Sequence, residues 1–350
     1  MNQLPMNKRD FTLDMAKGIL IILVVMGHSI QYSFGSSWLM SERFFDDTVF
    51  KAIYSFHMPL FMMISGYLFF NSNKKAFTTL MISKFKAIGI PMLSFVLLYN
   101  ILQYLILLAK GEVMKIITHY ISTIFQDITM WFLLSLLLNM TVVAVLTRVI
   151  KSKSLQYMVM FMLCVGSMWV PDNMLLSVHK FMFPFFCIGY VIKQSGINIY
   201  AMSNNKIGLG ILSILSAIAI WWFDTDTYIY TSGFYIAGDD PHQVYTDCKR
   251  LTIALIVSYT MMQYIHRFVV SRQDTVTNRI VRLGQTSLFI YGLNIVFNLY
   301  YTKALALLHI NFRFNYLIPV IVTIIFILVS DRLYKLMDKN KFTRMAFLGK

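Results

Sequence analysis

The chain has 350 residues, of which 57% are hydrophobic and only 13% charged, with a formal net charge of +15. A soluble domain carries about 25% charged residues, so this composition excludes an ordinary water-soluble fold and predicts an integral membrane protein. The positive excess does not point to nucleic acid, because Lys and Arg fall in short clusters between apolar runs, as membrane-surface anchors do.

Crossing roughly 30 Å of hydrocarbon takes about 20 helical residues. Lipid forces helix, since an open strand leaves backbone groups unsatisfied. In chain order, apolar runs lie at 15–34, 50–71, 87–109, 129–150, 155–171, 180–195, 206–223, 248–269, 284–306 and 314–336. They predict an all-α polytopic bundle of about ten transmembrane helices. The first run, with positive residues ahead of Gly18–Met26, resembles a signal peptide, but no small-x-small cleavage site follows, so it reads as an uncleaved first span. With both termini cytoplasmic, that side holds 22 of the 31 Lys and Arg and 5 of the 16 Asp and Glu, leaving 9 and 11 outside. The bias suits an even number of spans.

The longest outer loop, 224–247, interleaves Asp224, Asp226, Asp239 and Asp240 with Tyr228, Tyr230, Phe234 and Tyr235. That mixture suits either stacking on sugar rings or an interfacial aromatic belt. No repeat, low-complexity tract or separate soluble module is visible. Residues 1–350 therefore read as one integral-membrane domain of the inner (plasma) membrane, with any chemistry inside the bundle. Cys164, Cys187 and Cys248 have unrelated spacings that build neither a disulfide framework nor a zinc pattern.

Ionisable residues inside spans are costly and mark function by default. Asp14 and Lys17, three apart in the first helix, can pair on one face. His28 follows Lys17 by eleven residues, which is about 1100° of rotation, or roughly 20° from whole turns, and roughly 16 Å of rise. One stripe thus runs from a cation to an imidazole. In the second span His57 lies at a depth similar to that of His28, about 10 Å below the outer surface. Pro59 removes a helix hydrogen bond and is expected to open backbone carbonyls toward a cavity. Ser65 and Gly66 allow a neighbouring helix to approach closely.

A histidine pair at matched depth suits general acid–base chemistry near neutral pH. A metal would need a third ligand, and His119, His179, His242 and His309 are scattered, so none is expected. Trp131, Ser135 and Asn139 share one face of the fourth span; Gln285, Ser287, Tyr291 and Asn294 open the ninth. Both sets read as polar contacts between helices.

At these residues the sequence resembles the membrane-bound acyltransferase family 3, in its fucose 4-O-acetylase-like branch. One motif is Asp14, Lys17, Gly18 and, after an apolar run, Gly27-His28. The second is Phe56-His57-Met58-Pro59-Leu60-Phe61 with Ile64–Phe69. Softer matches are Trp131-Phe132-Leu133, FPFFCIGYVI at 183–192 and LGQTSLFIYGLN at 283–294. The resemblance implies about ten helices that move an acyl group, usually acetyl from cytoplasmic acetyl-CoA, to a carbohydrate hydroxyl at the outer face. His28 matches the family's catalytic histidine. Lys17 stands where many members carry Arg, keeping charge but losing the bidentate fork. Asn294 stands where many carry His.

Together these readings place CoA near Lys17 and Asp14, assisted by Arg9, Lys84 and Lys86. Its thioester would lie near His28, with His57 orienting the hydroxyl, shuttling its proton or stabilising the oxyanion. A transporter or flippase for a polysaccharide intermediate is the alternative. It predicts inverted repeats or paired broken helices, which the sequence lacks.

Overall fold

The structure, a computed structural model, describes residues 10–33, 43–126, 129–236, 240–272, 274–307 and 317–350, and all regular structure among them is helical. The helices are α1 Phe11–Ser33, α2 Thr48–Tyr54, α3 His57–Ser72, α4 Phe77–Lys84, α5 Ile90–Tyr99, α6 Ile101–Ala109, α7 Val113–Phe125 and α8 Trp131–Val149. They continue as α9 Lys153–Gly166, α10 Met174–Ser195, α11 Lys206–Trp222, α12 Ile229–Ser232, α13 Pro241–Ser271, α14 Thr275–Gln285, α15 Ser287–Leu307, α16 Leu317–Met337 and α17 Lys341–Thr343. Starts are set by side-chain caps, as where Asp47, Asn173 and Asn205 accept from the amides of Phe50, Leu176 and Gly208. Gly196, at φ 71°, ends α10 in the left-handed conformation that glycine adopts without a Cβ penalty.

Each of the ten apolar runs is mainly helical over its described residues, but the helices are not equally long. Among the described residues seven helices are long and apolar enough to cross a membrane, or eight if the pair Thr275–Gln285 and Ser287–Ala304, bent by 73°, counts as one span. The two that fall short are α9, of 14 residues, and α11, of 17. The run at 87–109 is divided differently from expectation. Helix already begins at Phe77, passes a π turn at Phe85–Gly89, and breaks at Asn100. There the side-chain amide donates to the Val96 carbonyl (3.2 Å), competing with the backbone ladder.

α1 is the central helix. Its apolar residues Leu13, Ala16, Leu20, Val25 and Ile30 are buried, and it packs against α2, α3, α13, α14, α15 and α16. A helix apolar on every side belongs inside a bundle. By contrast α11 presents Ile207, Ile211, Ile214, Ile218 and Trp221 outward, a face suited to hydrocarbon. α3 and α10 meet backbone to backbone: a Cβ at Gly66 would fall on the Phe186 carbonyl, and one at Gly189 on that of Met63.

Candidate active site

The second apolar run breaks at Ser55–Phe56, so that His57 opens α3 and Pro59 lies in its first turn. Pro59 has no N–H and crowds the carbonyl four residues back, which accounts for the break. At the break the Ile53 carbonyl accepts from His57 Nδ1 at 2.7 Å, and Ser55 and Pro59 line a small cavity beside it. The proton therefore sits on His57 Nδ1, leaving the lone pair on Nε2.

His28 is fixed in the same sense. Its Nδ1 lies 2.6 Å from Oδ1 of Asn294, which also accepts from Asn298 Nδ2 at 3.1 Å. An amide oxygen only accepts, so His28 likewise carries its hydrogen on Nδ1 and its lone pair on Nε2. Both rings line a cavity of about 200 Å³ whose wall is rich in aromatic residues: Tyr32, Tyr54, Tyr99, Trp131, Tyr230 and Tyr291. The structure thus brings together the two histidines that the sequence paired by depth.

A second cavity, of about 230 Å³, follows α1 toward its N-terminal end, lined by Lys17, Lys84, Ser65, Ser72 and Ser287 among apolar residues. The two cavities share Val24, Met58 and Tyr291 as a common wall. The Lys17–His28 stripe thus borders two chambers set end to end, cations in one and imidazoles in the other.

Lys17 Nζ pairs with Asp14 Oδ1 at 2.6 Å, and Gln285 Nε2 donates to the other oxygen of Asp14 at 3.1 Å. Asp14 thus holds Lys17 and does not itself line the cavity. The hold depends on α14, since a Cβ at Gly284 would strike the Asp14 carbonyl. Lys84 Nζ donates to Ser72 Oγ at 3.2 Å and lies over the Phe69 ring. Lys86 is exposed and does not line the cavity. Arg9, His309 and Asp239 lie outside the described residues.

The outer-loop aromatics divide. Tyr230 reaches the histidine cavity, whereas Tyr228 is buried with its hydroxyl donating to the Phe45 carbonyl (3.2 Å). Burial is the main cause that pushes both phenols up, keeping them protonated. Two of the loop carboxylates have structural partners: Asp224 pairs with Lys249, and Asp240 caps α13. Burial alone would raise the Asp224 carboxyl, but hydrogen bonds from Lys249 and Thr227 outweigh it and hold the group below the usual carboxylate range. Arg250, 2% exposed, ties the loop down through Asp247 and the carbonyls of Thr227 and Asp226.

Several polar residues are contacts between helices. Ser135 bonds His179, and Asn139 donates to Met62 Sδ at 3.7 Å. Among the described residues no three His, Cys, Asp or Glu side chains converge on a metal-sized site. Cys164, Cys187 and Cys248 are free. Asn294 and Tyr291, by contrast, belong to the site although the sequence read them as polar contacts. Their spacing of three within one span was the available signal.

A profile of the acyltransferase domain of acyltransferase family 3 matches residues 10–332. The chain belongs to that family. It is similar to nodulation protein NolL of Mesorhizobium japonicum, 28% identical over 292 residues that cover 81% of this chain and 75% of the relative. It is also similar to NolL of Sinorhizobium fredii, 32% identical over 202 residues that cover 54% of this chain and 50% of the relative. No solved structure matches. This acyltransferase is a multi-pass membrane protein, and its matched region contains both cavities.

Proposed function

We propose that this acyltransferase moves an acetyl group from cytoplasmic acetyl-CoA to a hydroxyl of a cell-surface or lipid-linked carbohydrate, within the inner membrane. The observation that carries the reading is the pair of cavities along α1, with Lys17 and Lys84 in one and His28 and His57 in the other. A polyanionic donor suits the lysine chamber, and a general base suits the chamber beyond it. The sidedness rests on the Lys and Arg bias, which favours a cytoplasmic N-terminus and so puts the Lys17 end of α1 on the side of the CoA pool.

In this reading Lys84, with Lys17 held by Asp14, attracts the diphosphate at the mouth. Val24 and Met58 flank the thioester arm. His28 Nε2 takes the proton of the acceptor hydroxyl, and His57 Nε2 accepts a hydrogen bond that orients it. The aromatic wall, Trp131 and Tyr230 above all, offers faces on which a sugar ring stacks.

Membrane vesicles given acetyl-CoA labelled in its acetyl group test the proposal. Wild-type protein should place label in the glycan fraction, released by mild alkali as an ester is. His28→Ala, inserted at wild-type amount, should place at least a hundredfold less. Full labelling by the His28→Ala variant would overturn the role of His28, and no label with wild type would overturn the function.

A further inference from the structure

Tyr291 stands where the two cavities meet. Its ring lines both, the residue is 5% exposed, and its hydroxyl has no hydrogen-bond partner among the described residues. A buried phenol normally finds a partner, so an unfilled one needs a reason. The first turn of α8 lies beside it. Trp131 and Phe132 carry two of the leading amides of that helix, which lack intrahelical acceptors, and no side chain caps them. The Phe132 ring packs against that of Tyr291, with centroids 5.7 Å apart.

The cavity also offers two bases. His28 and His57 each commit Nδ1–H, to Asn294 and Ile53, and turn a lone pair inward. Two of the other hydroxyls there already have acceptors: Tyr54 donates to Gln31 (3.4 Å) and Thr302 to the Asn298 carbonyl (3.0 Å). Acyl transfer also requires a donor for the oxygen on which negative charge develops. Tyr291 has a hydrogen without an acceptor, at the boundary between the lysine chamber and the histidine chamber.

We infer that the Tyr291 hydroxyl is a catalytic residue, the donor that holds the thioester carbonyl oxygen and then the oxyanion of the tetrahedral intermediate. The inference rests on the acetyl-transfer reading above. His28 Nε2 takes the proton from the acceptor hydroxyl, and the oxygen's electron pair forms a bond to the thioester carbon. The carbonyl π pair moves onto its oxygen, to which Tyr291 O–H donates. When that pair returns, the C–S bond breaks. The CoA thiolate leaves with its electrons and takes the proton from the His28 imidazolium, giving CoA–SH and an O-acetyl ester.

The test uses the full-length protein in membrane vesicles, with labelled acetyl-CoA varied in concentration and label counted in the glycan fraction. Tyr291→Phe keeps the ring and loses the donor. It should lower the maximal rate about a hundredfold while the half-saturating acetyl-CoA concentration stays within twofold. Incorporating 4-aminophenylalanine at position 291 restores an N–H donor on the same ring and should recover at least a third of the wild-type rate, an outcome that a purely structural role does not predict. An undiminished rate for Tyr291→Phe, a loss confined to half-saturation, or no recovery by the aminophenyl variant would overturn the assignment while acetyl transfer by wild type stands. No transfer by wild type would instead remove the reading on which the assignment rests.

Discussion

Replacing Asn294 by Leu removes the acceptor at 2.6 Å from His28 Nδ1 while keeping a side chain branched at the same carbon. Asn294 is fully buried, so no water takes over its place from solvent. A neutral hydrogen bond contributes about 0.5–1.5 kcal/mol and one to a charged group about 1.5–3 kcal/mol. His28 is neutral before proton transfer and cationic after it, so the Asn294 bond strengthens by about 1–1.5 kcal/mol along the reaction. Only that difference accelerates the chemical step, and it corresponds to roughly a tenfold change in rate. Without an acceptor at Nδ1, the tautomer that turns N–H into the cavity also becomes populated, which adds to the loss. The expected outcome is a maximal rate lowered about 10- to 100-fold with half-saturating acetyl-CoA unchanged. Asn294→Asp keeps an oxygen in the same place and should be at least ten times faster than Asn294→Leu. The assay is label transfer into glycan, normalised to membrane-inserted protein. Wild-type rate in Asn294→Leu, or a change confined to half-saturation, would refute the claim that Asn294 fixes the base.

Gly66→Ala drives a methyl onto the Phe186 carbonyl and has to separate α3 from α10. Overpacking of this kind costs about 1–3 kcal/mol, so thermal unfolding in detergent should shift down by several degrees, with Gly189→Ala behaving alike because it meets Met63 across the same contact. Asp224→Asn tests the ion pair with Lys249. Because the folded carboxyl titrates below its unfolded value of about 3.9, its contribution is complete above about pH 5 and lost as pH falls through the folded value. The side chain is 56% exposed and so screened, which limits the effect to about 1 kcal/mol or less. The wild-type advantage in melting temperature should therefore be small and constant from pH 8 to about 5, closing below about 4. A gap that widens in acid would contradict the assignment.

Much of the bundle was legible in the sequence because lipid imposes a severe rule: long apolar runs become helices, and buried ionisable groups stand out against them. That rule found all ten helical runs, the Asp14–Lys17 pair, and the histidines that share a cavity. It missed α7, whose apolar residues Val113, Ile116, Tyr120, Ile121 and Ile124 recur at helical spacing between polar ones. It also missed α14, which is amphipathic and packs its Gly284 and Gln285 directly against Asp14. Pro59 was read as a mid-helix disruption because a run of apolar residues does not reveal where a helix restarts. Tertiary packing settled that detail, and with it the tautomer of His57.

The same limit explains the electrostatics of the lysine chamber. Eleven residues along α1 set Lys17 and His28 on one stripe, and spacing alone makes Lys17 the cation that meets an anion. In the folded protein Asp14 neutralises Lys17, whereas Lys84 has no carboxylate partner among the described residues and meets only Ser72 and the face of Phe69. The uncompensated charge at that end of α1 thus comes from α4, which lies ahead of the 87–109 run read from the sequence as the third span. Lys17 keeps a different value. Through Asp14 and Gln285 it ties α1 to the bend between α14 and α15, and α15 carries both Tyr291 and Asn294. The Gln285–Asp14 hydrogen bond and the close approach of Gly284 to the Asp14 carbonyl thus join the helix that holds the base to the bend that leads into the helix fixing its tautomer.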